Sequence, residues 1–355
     1  MTADKPRAAD LVRPSYRRMS LYTSVRAPVA LDLSDNTNQR GVPPAALAVA
    51  RDAGPEIYAR YPSHYGADLK RALSDWLGVG PDEIVTGCGS DDVLDSAIRA
   101  FAETGDALAF PEPTFAMLPY FGHMNGLVPK PVPLLGSDRG YDIDAEGLLA
   151  TKAKIIYVCT PNNPTGTLAS REAIEHVIQA APGLVIVDEA YVEYAGESLV
   201  RRAKGEGRLL VARTLSKAFG MAGLRVGYAV GAPELVAEVE KSRGPYKVTG
   251  LAERMAVAAI DHDRAWVERG IAEVVAARDP FIRALEELGL APLPTSSNFV
   301  LVPISGAKAK AAALREKGVA VRPFEGLAGI GDALRISIGP WELMAPAVAA
   351  LREVL

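Results

Sequence analysis

The sequence predicts an α/β protein with a large domain, built on a mostly parallel sheet covered by helices, and a smaller C-terminal α/β domain. Three observations support this fold class. The length of 355 residues exceeds that of a usual single domain. Short strands that are apolar throughout alternate with helical segments, as in a parallel sheet buried on both faces. After Lys247 this alternation stops and a long helical region follows, roughly 251–288.

The periodicity divides the chain into an N-terminal arm (1–44), a large domain (45–248) and a small domain (249–355). The arm is polar, contains Pro14 and Pro28 and has no periodicity, so we expect it to pack on the small domain or on a partner subunit. Strands of the large domain are predicted at 83–86, 107–110, 154–159, 184–187, 209–212 and 226–230. In the small domain we expect strands at 297–302, 319–321 and 334–338, a helix at 307–317 and a terminal helix.

Composition excludes several classes of protein. A net charge of -4 and a pI near 5.7 leave no basic surface for nucleic acid or anionic lipid. Cys88, Cys159 and the four scattered histidines lack the spacing of metal ligands, so no metal site is predicted. No apolar run approaches the ~20 residues that span a bilayer, and the N-terminus does not resemble a signal peptide. We therefore expect a cytoplasmic protein without nucleic acid or membrane partners.

Polar residues follow several strands, at the sheet edge where open α/β sheets bind ligands. Residues 87–91 join a strand to a helix, and the free N–H groups of such a turn suit an anion beside Gly89, Ser90 and Asp91. Helix capping by Ser90 explains the same turn equally well. A nicotinamide oxidoreductase is disfavoured, because Asp92 stands where the dinucleotide fingerprint has its third glycine.

Two further strand ends carry candidate ligand-binding side chains. Phe115 follows the strand at 107–110 and either stacks on a planar ligand or packs in the core. Asn163 lies in the loop 159–166, where two prolines and two asparagines fix a tight turn and present an amide donor. A plain turn is the alternative for that loop.

The segment 214–225, Thr-Leu-Ser-Lys-Ala-Phe-Gly-Met-Ala-Gly-Leu-Arg, places Lys217 just after a buried strand. Partial desolvation there holds an amine near neutral, the state that attacks a carbonyl group. Thr214, Ser216 and Arg225 suit a phosphate bound beside that lysine. A solvated surface lysine is the alternative.

The Ser-Lys and Gly-Leu-Arg-x-Gly pattern of this segment, with the Asn-Pro-Thr-Gly loop, resembles the fold-type-I aminotransferases that use pyridoxal 5′-phosphate. The resemblance covers nearly the whole chain. It implies that Lys217 forms the Schiff base, that Ser216 and Arg225 hold the cofactor phosphate, and that Asn163 bonds the phenolic oxygen. The remaining cofactor contacts are then expected at Gly89, Ser90, Asp91, Phe115 and Thr214.

The strand that ends in Asp188-Glu189 has two interpretations. It resembles a Walker B element, which would hold Mg²⁺ in an ATPase. A Walker ATPase also needs a P-loop, and Gly-Lys occurs nowhere in the chain. As the aspartate of an aminotransferase, Asp188 would pair with the protonated pyridine nitrogen and keep the ring an electron sink. Tyr191 would then bond the phenolic oxygen opposite Asn163.

Within that family the chain most resembles the histidinol-phosphate aminotransferase subgroup, through its N-terminal arm, Tyr61-Pro62 and Pro245-Tyr246. The resemblance implies that Tyr22 closes over the substrate and that Asn36 and Tyr246 line its pocket. Tyr61 would reach the cofactor phosphate of the partner subunit, which implies a homodimer. An arginine on a strand is costly unless paired, and the fork of Arg335, with Arg322, would grip the substrate phosphate. A structural salt bridge is the alternative for each arginine.

These observations predict a ping-pong transamination from histidinol phosphate to 2-oxoglutarate, in which Lys217 is the general base and acid. The sequence departs from the subgroup at 35–39, at 90–93, at Phe115 and at Lys247. An aromatic or other amino-acid aminotransferase, or a decarboxylase of the threonine-phosphate type, therefore remains the alternative.

Overall fold

The computed structural model describes residues 7–17, 19–21, 28–137 and 140–355. Within these ranges the helices are α1 (Ala8–Leu11), α2 (Pro44–Arg51), α3 (Glu56–Ala59), α4 (Ala67–Leu77), α5 (Gly89–Phe101), α6 (Met117–Met124), α7 (Ala145–Ala150), α8 (Arg171–Ala180), α9 (Val200–Ala203), α10 (Pro233–Lys241), α11 (Gly250–His262), α12 (Arg264–Glu287), α13 (Ala307–Glu316) and α14 (Trp341–Val354). The strands are β1 (Leu31–Asp32), β2 (Ile84–Cys88), β3 (Ala107–Glu112), β4 (Val128–Pro133), β5 (Leu135–Ser137), β6 (Gly140–Asp142), β7 (Ile155–Cys159), β8 (Leu184–Asp188), β9 (Leu209–Thr214), β10 (Val226–Val230), β11 (Phe299–Pro303), β12 (Val319–Ala320), β13 (Arg322–Leu327) and β14 (Gly331–Ser337).

A central sheet in the order β2–β10–β9–β8–β7–β3–β4 forms the middle of the described structure. Neighbouring strands are parallel, except that β10 runs antiparallel to both β2 and β9. Side chains that alternate along each strand enter two separate buried apolar clusters, one on each face of the sheet. The predicted α/β fold class with a mostly parallel sheet is therefore confirmed.

Several features differ from the sequence prediction: strands β1, β4, β5, β6 and β13 were not predicted, and the long helical region is divided. Strand β4 was not predicted, because its sequence Val-Pro-Lys-Pro-Val-Pro has three prolines. It lies at the edge of the sheet and pairs only with β3, where a missing N–H donor is tolerated. The helical region predicted at 251–288 is divided at Asp263 into α11 and α12, and the Asp263 carboxylate accepts a hydrogen bond from the Ala45 N–H at 2.7 Å.

A second, antiparallel sheet in the order β11–β14–β13 lies in the C-terminal part of the chain and places Arg322 directly opposite Arg335. Strand β1 pairs in parallel with β12, so that Leu31 lies opposite Val319. The chain that follows β1 reaches the central sheet, because the Asn38 side chain donates to the Ala218 carbonyl at 2.8 Å. Among the described helices none has the length and apolar character needed to cross a membrane.

The start of α5 packs directly against β10 at Gly227. A Cβ at this residue would lie 2.1 Å from the Ser90 nitrogen and 2.3 Å from the Gly89 carbonyl carbon. Both clashes involve backbone atoms, which cannot swing away as the end of a flexible side chain can. Only glycine therefore allows the first turn of α5 to lie this close to the sheet.

Replacing Gly227 with alanine should lower the free energy of unfolding by about 2 kcal/mol or more, because the backbone of α5 must shift to admit the methyl group. Chemical denaturation of the cofactor-free protein measures the change. Gly207→Ala is the matched control, since a Cβ at Gly207 meets no atom within 4 Å. Equal stability of the two variants would contradict the close packing at Gly227.

Candidate active site

A cavity of about 740 Å³ lies at the carboxyl ends of the parallel strands, between the central sheet, the arm and the small sheet. The structure brings most of the predicted site residues to its walls. These are Asn36, Ser90, Asp91, Phe115, Asn163, Asp188, Tyr191, Thr214, Ser216, Lys217, Arg225, Arg322 and Arg335. Residues separated by up to 299 positions in the chain therefore face one cavity.

One end of the cavity is suited to an anion. Helix α5 begins at Gly89, and its first N–H groups are directed to this end together with the Ser216 and Arg225 side chains. The Thr214 and Ser216 hydroxyls are hydrogen-bonded at 2.9 Å, and an Arg225 nitrogen lies 3.5 Å from the Ser216 oxygen. A Cβ on Gly89, whose φ is +79°, would lie 2.3 Å from Arg225. Gly89 therefore makes room for the guanidinium group, although it does not itself line the cavity.

Asp91 forms an ion pair with the same guanidinium group, with 3.2 Å between its Oδ2 and Arg225 Nη2. Burial raises the pKa of Asp91, while Arg225 and Lys217 oppose that increase. The carboxylate thereby balances part of the positive charge at this end of the cavity.

The Lys217 amine projects into the middle of the cavity. It donates a hydrogen bond to the backbone carbonyl of Asp35 at 3.1 Å and lies 5.7 Å from the centre of the Tyr191 ring. Burial, and then the nearby Arg335 cation, lower the pKa of Lys217 to about 8. An appreciable fraction of the amine is therefore neutral, and nucleophilic, close to physiological pH.

Asp188 ends strand β8 and is almost completely buried. Its Oδ2 accepts a hydrogen bond from the Tyr157 hydroxyl at 2.8 Å, and its Oδ1 accepts one from the Ala190 N–H at 2.9 Å. Burial raises the pKa of Asp188 to about 6, and these two hydrogen bonds limit the increase. The carboxylate is thus mainly ionised at neutral pH and can pair with a cation in the cavity.

Two further hydrogen-bonding side chains, Tyr191 and Asn163, line the cavity. Burial raises the pKa of Tyr191 to about 12, so its hydroxyl remains protonated and can donate. Its oxygen accepts from the Asn36 amide at 3.1 Å, and its ring packs edge-on against Phe299. The Asn163 Oδ1 accepts from Arg335 at 2.6 Å.

The small sheet closes the other end of the cavity with Arg322, Phe324 and Arg335. The Arg335 guanidinium group lies 5.3 Å from the Phe299 ring centre and 5.7 Å from that of Phe324, and it donates to the Ser34 carbonyl at 2.8 Å. Because Arg322 and Arg335 are directly opposite on β13 and β14, their side chains leave the small sheet on the same face. Both line the cavity, and two guanidinium groups on one wall suit an anion.

Besides Gly89, two predicted residues of the described part of the chain, Tyr61 and Tyr246, are not among those that line the cavity. Tyr61 and Tyr246 stack on each other with their ring centres 4.8 Å apart, and the Tyr246 hydroxyl is hydrogen-bonded to His64 at 3.0 Å. Tyr61 is 82% exposed, as a residue that serves a partner subunit would be in a single chain. Tyr22 lies outside the described residues. The roles assigned to these tyrosines remain predictions.

Sequence reasoning missed several contacts. Asp35 accepts the Lys217 hydrogen bond through its backbone carbonyl group, and a backbone contact cannot be predicted from the residue type. Phe324 stacks on Arg335 from the neighbouring strand, and only the register of β13 and β14 places it there. Tyr157 could have been noticed, because it is the one residue with a polar group between Ile155 and Val158 in a fully buried strand.

These residues fit pyridoxal phosphate. The anion end matches its phosphate, Asp188 matches a protonated ring nitrogen, and Lys217 matches its aldehyde carbon. Tyr191 and Asn163 are the candidate partners of the phenolic oxygen, and Phe115 is on the wall where a flat ring would stack.

Comparison with known proteins gives the same result. The family model "Aminotransferase class I and II" matches residues 28–351. A protein of Ralstonia nicotianae named histidinol-phosphate aminotransferase 2 is 38% identical over 338 residues, which cover 91% of this chain and 88% of that protein. The histidinol-phosphate aminotransferase of Caldanaerobacter subterraneus is 31% identical over 350 residues, covering 98% and 99%. The crystal structure of the Sinorhizobium meliloti histidinol-phosphate aminotransferase with pyridoxal 5′-phosphate superposes with a TM-score of 0.86 at 27% identity, covering 99% of this chain and 98% of that one.

Replacing Lys217 with methionine should stabilise the cofactor-free protein at pH 7 by about 3 kcal/mol, because a desolvated ammonium group is removed. The lowered pKa of Lys217, about 8, sets the pH window. Below pH 8 Lys217 is protonated in both the folded and the unfolded chain, so the full cost of burying its charge destabilises the folded state. As the pH rises from 8 to the unfolded value near 10.5, the folded lysine is neutral and the penalty disappears.

Urea unfolding of both proteins between pH 7 and pH 10 measures this difference. A gain in stability that shrinks with increasing pH is expected. A difference that stays constant over this range would show that the Lys217 pKa is not lowered.

Proposed function

The chain belongs to the aminotransferase class I and II family and is a pyridoxal-phosphate-dependent transaminase, and we propose that it transfers the amino group of histidinol phosphate to 2-oxoglutarate. The observation that carries this proposal is the cross-strand pair Arg322 and Arg335 at the end of the cavity remote from the cofactor phosphate site. A phosphate monoester has nearly two negative charges at neutral pH, so two guanidinium groups match it better than they match a single carboxylate. The names of the relatives support the same substrate.

Each side chain of the cavity has a separate role in transamination. Bound pyridoxal phosphate supplies the electron sink that stabilises a carbanion at the substrate Cα. The neutral Lys217 amine removes the Cα proton as a general base, and its ammonium form returns a proton as a general acid. Asp188 supplies the negative charge that keeps a ring nitrogen protonated. The Tyr191 hydroxyl donates a hydrogen bond to a developing negative oxygen.

Substrate orientation follows from the two ends of the cavity. The Ser216 and Arg225 side chains would hold the cofactor phosphate at one end, while Arg322 and Arg335 would hold the substrate anion at the other. The amino group is thereby directed to Lys217 in the middle. In the second half-reaction the same arginines would accept a carboxylate of 2-oxoglutarate.

Apolar residues in the cavity wall make an aromatic amino acid the second candidate substrate. Phe115, Met117 and Phe324 all line the cavity and would pack against an aromatic ring as well as against an imidazole. In that case Arg335 would hold the substrate carboxylate, and Arg322 would contribute little.

Replacing Arg322 with methionine should distinguish these substrates. We expect kcat/KM for histidinol phosphate to fall by about 30-fold or more, because a charge-assisted bond to the phosphate is lost. The value for phenylalanine should change little. Lys308→Met is the control, since it removes an exposed cation of the small domain that lies outside the cavity.

Absorbance spectroscopy gives the direct comparison, because conversion of the bound cofactor bleaches its yellow colour. Bleaching of the wild-type protein by phenylalanine at lower concentration than by histidinol phosphate would contradict the proposed substrate. A response to O-phosphothreonine with release of CO₂ would identify a decarboxylase instead.

We also propose a homodimer in which Tyr61 completes the partner's cofactor site. Its exposure and its stacking on Tyr246 leave the hydroxyl accessible at the surface of one chain. A C2 dimer would give each site one Lys217 from its own chain and one Tyr61 from the other.

Subunit mixing tests this arrangement. Tyr61→Ala should weaken cofactor binding, and Lys217→Ala should abolish the reaction. When the two proteins are mixed at a cofactor concentration too low to load Tyr61→Ala, about a quarter of the sites should become native, because hybrid dimers contain one intact site. Absence of any recovered activity, although hybrid dimers form, would rule out sites shared between subunits.

A further inference from the structure

A buried phenol, Tyr157, contacts the carboxylate of Asp188 on the side away from the cavity. Tyr157 lies in β7, where it pairs with Ile186, and Asp188 is the last residue of the neighbouring strand β8. Tyr157 belongs to the apolar cluster on one face of the sheet, as does Ile186, and Asp188 shares that face because it lies two residues after Ile186 in the strand. The Tyr157 hydroxyl is 2.8 Å from Asp188 Oδ2, and the whole Tyr157 side chain is buried.

The direction of this hydrogen bond is determined by the two groups. Burial, and then the Asp188 charge, raise the pKa of Tyr157 well above its usual range. The phenol therefore keeps its proton and is the donor, and the carboxylate is the acceptor. A carboxylate held so deeply in an apolar environment is easily neutralised unless donors stabilise its charge.

Two donors reach Asp188 from the chain, one on each oxygen. The Ala190 N–H is a backbone group and would be present with almost any sequence. Among the hydrogen bonds of the described residues, the Tyr157 hydroxyl supplies the side-chain donor. Because the two bonds meet different oxygens, together they fix the plane of the carboxylate as well as its charge.

We propose that Tyr157 is a positioning residue of the transaminase, which keeps Asp188 ionised and holds its carboxylate in one orientation toward the cavity. Tyr157 does not line the cavity, so it acts only through Asp188. By stabilising the negative charge it also limits how strongly Asp188 attracts a proton from the group with which it pairs. The residue thus adjusts the basicity of the carboxylate that supports the electron sink.

A different buried tyrosine shows that packing alone does not require this bond. Tyr228 in β10 is also completely buried, and in the described structure its hydroxyl has no hydrogen-bond partner. The same central sheet therefore accommodates a phenol whose hydroxyl is unused. Tyr228 is therefore a control for Tyr157. Removal of the hydroxyl from either residue changes a buried phenol, but only removal from Tyr157 takes a hydrogen bond from Asp188.

The experiment is the titration of the Asp188 carboxyl carbon by NMR in cofactor-free protein labelled with ¹³C-aspartate, assigned with Asp188→Asn. Tyr157→Phe should raise the Asp188 pKa by about one unit or more, as expected for the loss of a hydrogen bond to a buried charge. Tyr228→Phe should leave it unchanged. In the cofactor-loaded enzyme the acidic limb of the kcat/KM profile should move to higher pH only with Tyr157→Phe.

An Asp188 pKa that is the same in Tyr157→Phe and wild type would overturn the proposal. If Tyr157→Phe does not fold, 3,5-difluorotyrosine introduced at position 157 provides the second test. Its more acidic phenol is a stronger donor and should lower the Asp188 pKa, and no change would again refute the proposed role. Because the titration uses protein without substrate, its outcome does not depend on whether histidinol phosphate is the amino donor.

Discussion

Desolvation of charged groups at the carboxyl edge of the central sheet is the constraint on which the site depends. Water exclusion lowers the pKa of Lys217 to about 8, so that part of the amine is neutral and can accept a proton. It raises the pKa of Asp188 to about 6, which still leaves the carboxylate mainly ionised at neutral pH. Both shifts destabilise the folded chain, and the apolar clusters on the two faces of the sheet offset them. The large buried sheet is therefore a requirement of the chemistry as well as of the fold.

The segment 34–36 of the arm joins the separate parts of the site. The Ser34 and Asp35 carbonyl groups accept hydrogen bonds from Arg335 and Lys217, while the Asn36 amide donates to Tyr191. The backbone and side chain of Asn36 are also bonded to Ser337 on the small sheet. One short segment thus contacts Lys217, Arg335 and Tyr191, three residues that face the cavity. This arrangement explains how a sequence that departs from the subgroup at 35–39 retains these contacts, because three of them use backbone atoms.

Much of the fold was predictable because the apolar strands are local patterns. The predicted strand 226–230 and the observed β10 coincide, and other predicted strands of the central sheet differ from the observed ones by only a few residues at their ends. Strand β4 escaped prediction because its prolines are acceptable only at a sheet edge, and an edge is a property of the assembled sheet. The antiparallel direction of β10 is likewise set by its neighbours and not by its own residues.

The sequence by itself determined the chemistry, since Lys217, Asp188 and Asn163 each follow a recognisable strand and the resemblance assigns their roles. Only the tertiary structure decided the pKa values of these groups and the residues that surround them. Tyr157 reaches Asp188 from a neighbouring strand, and Arg322 meets Arg335 through strand register. The Asp35 carbonyl accepts from Lys217 across 182 residues of chain. A sequence motif shows which side chain is present at a position. The pKa of that side chain depends on its burial and on neighbouring groups that are remote in sequence, and only folding brings these groups together.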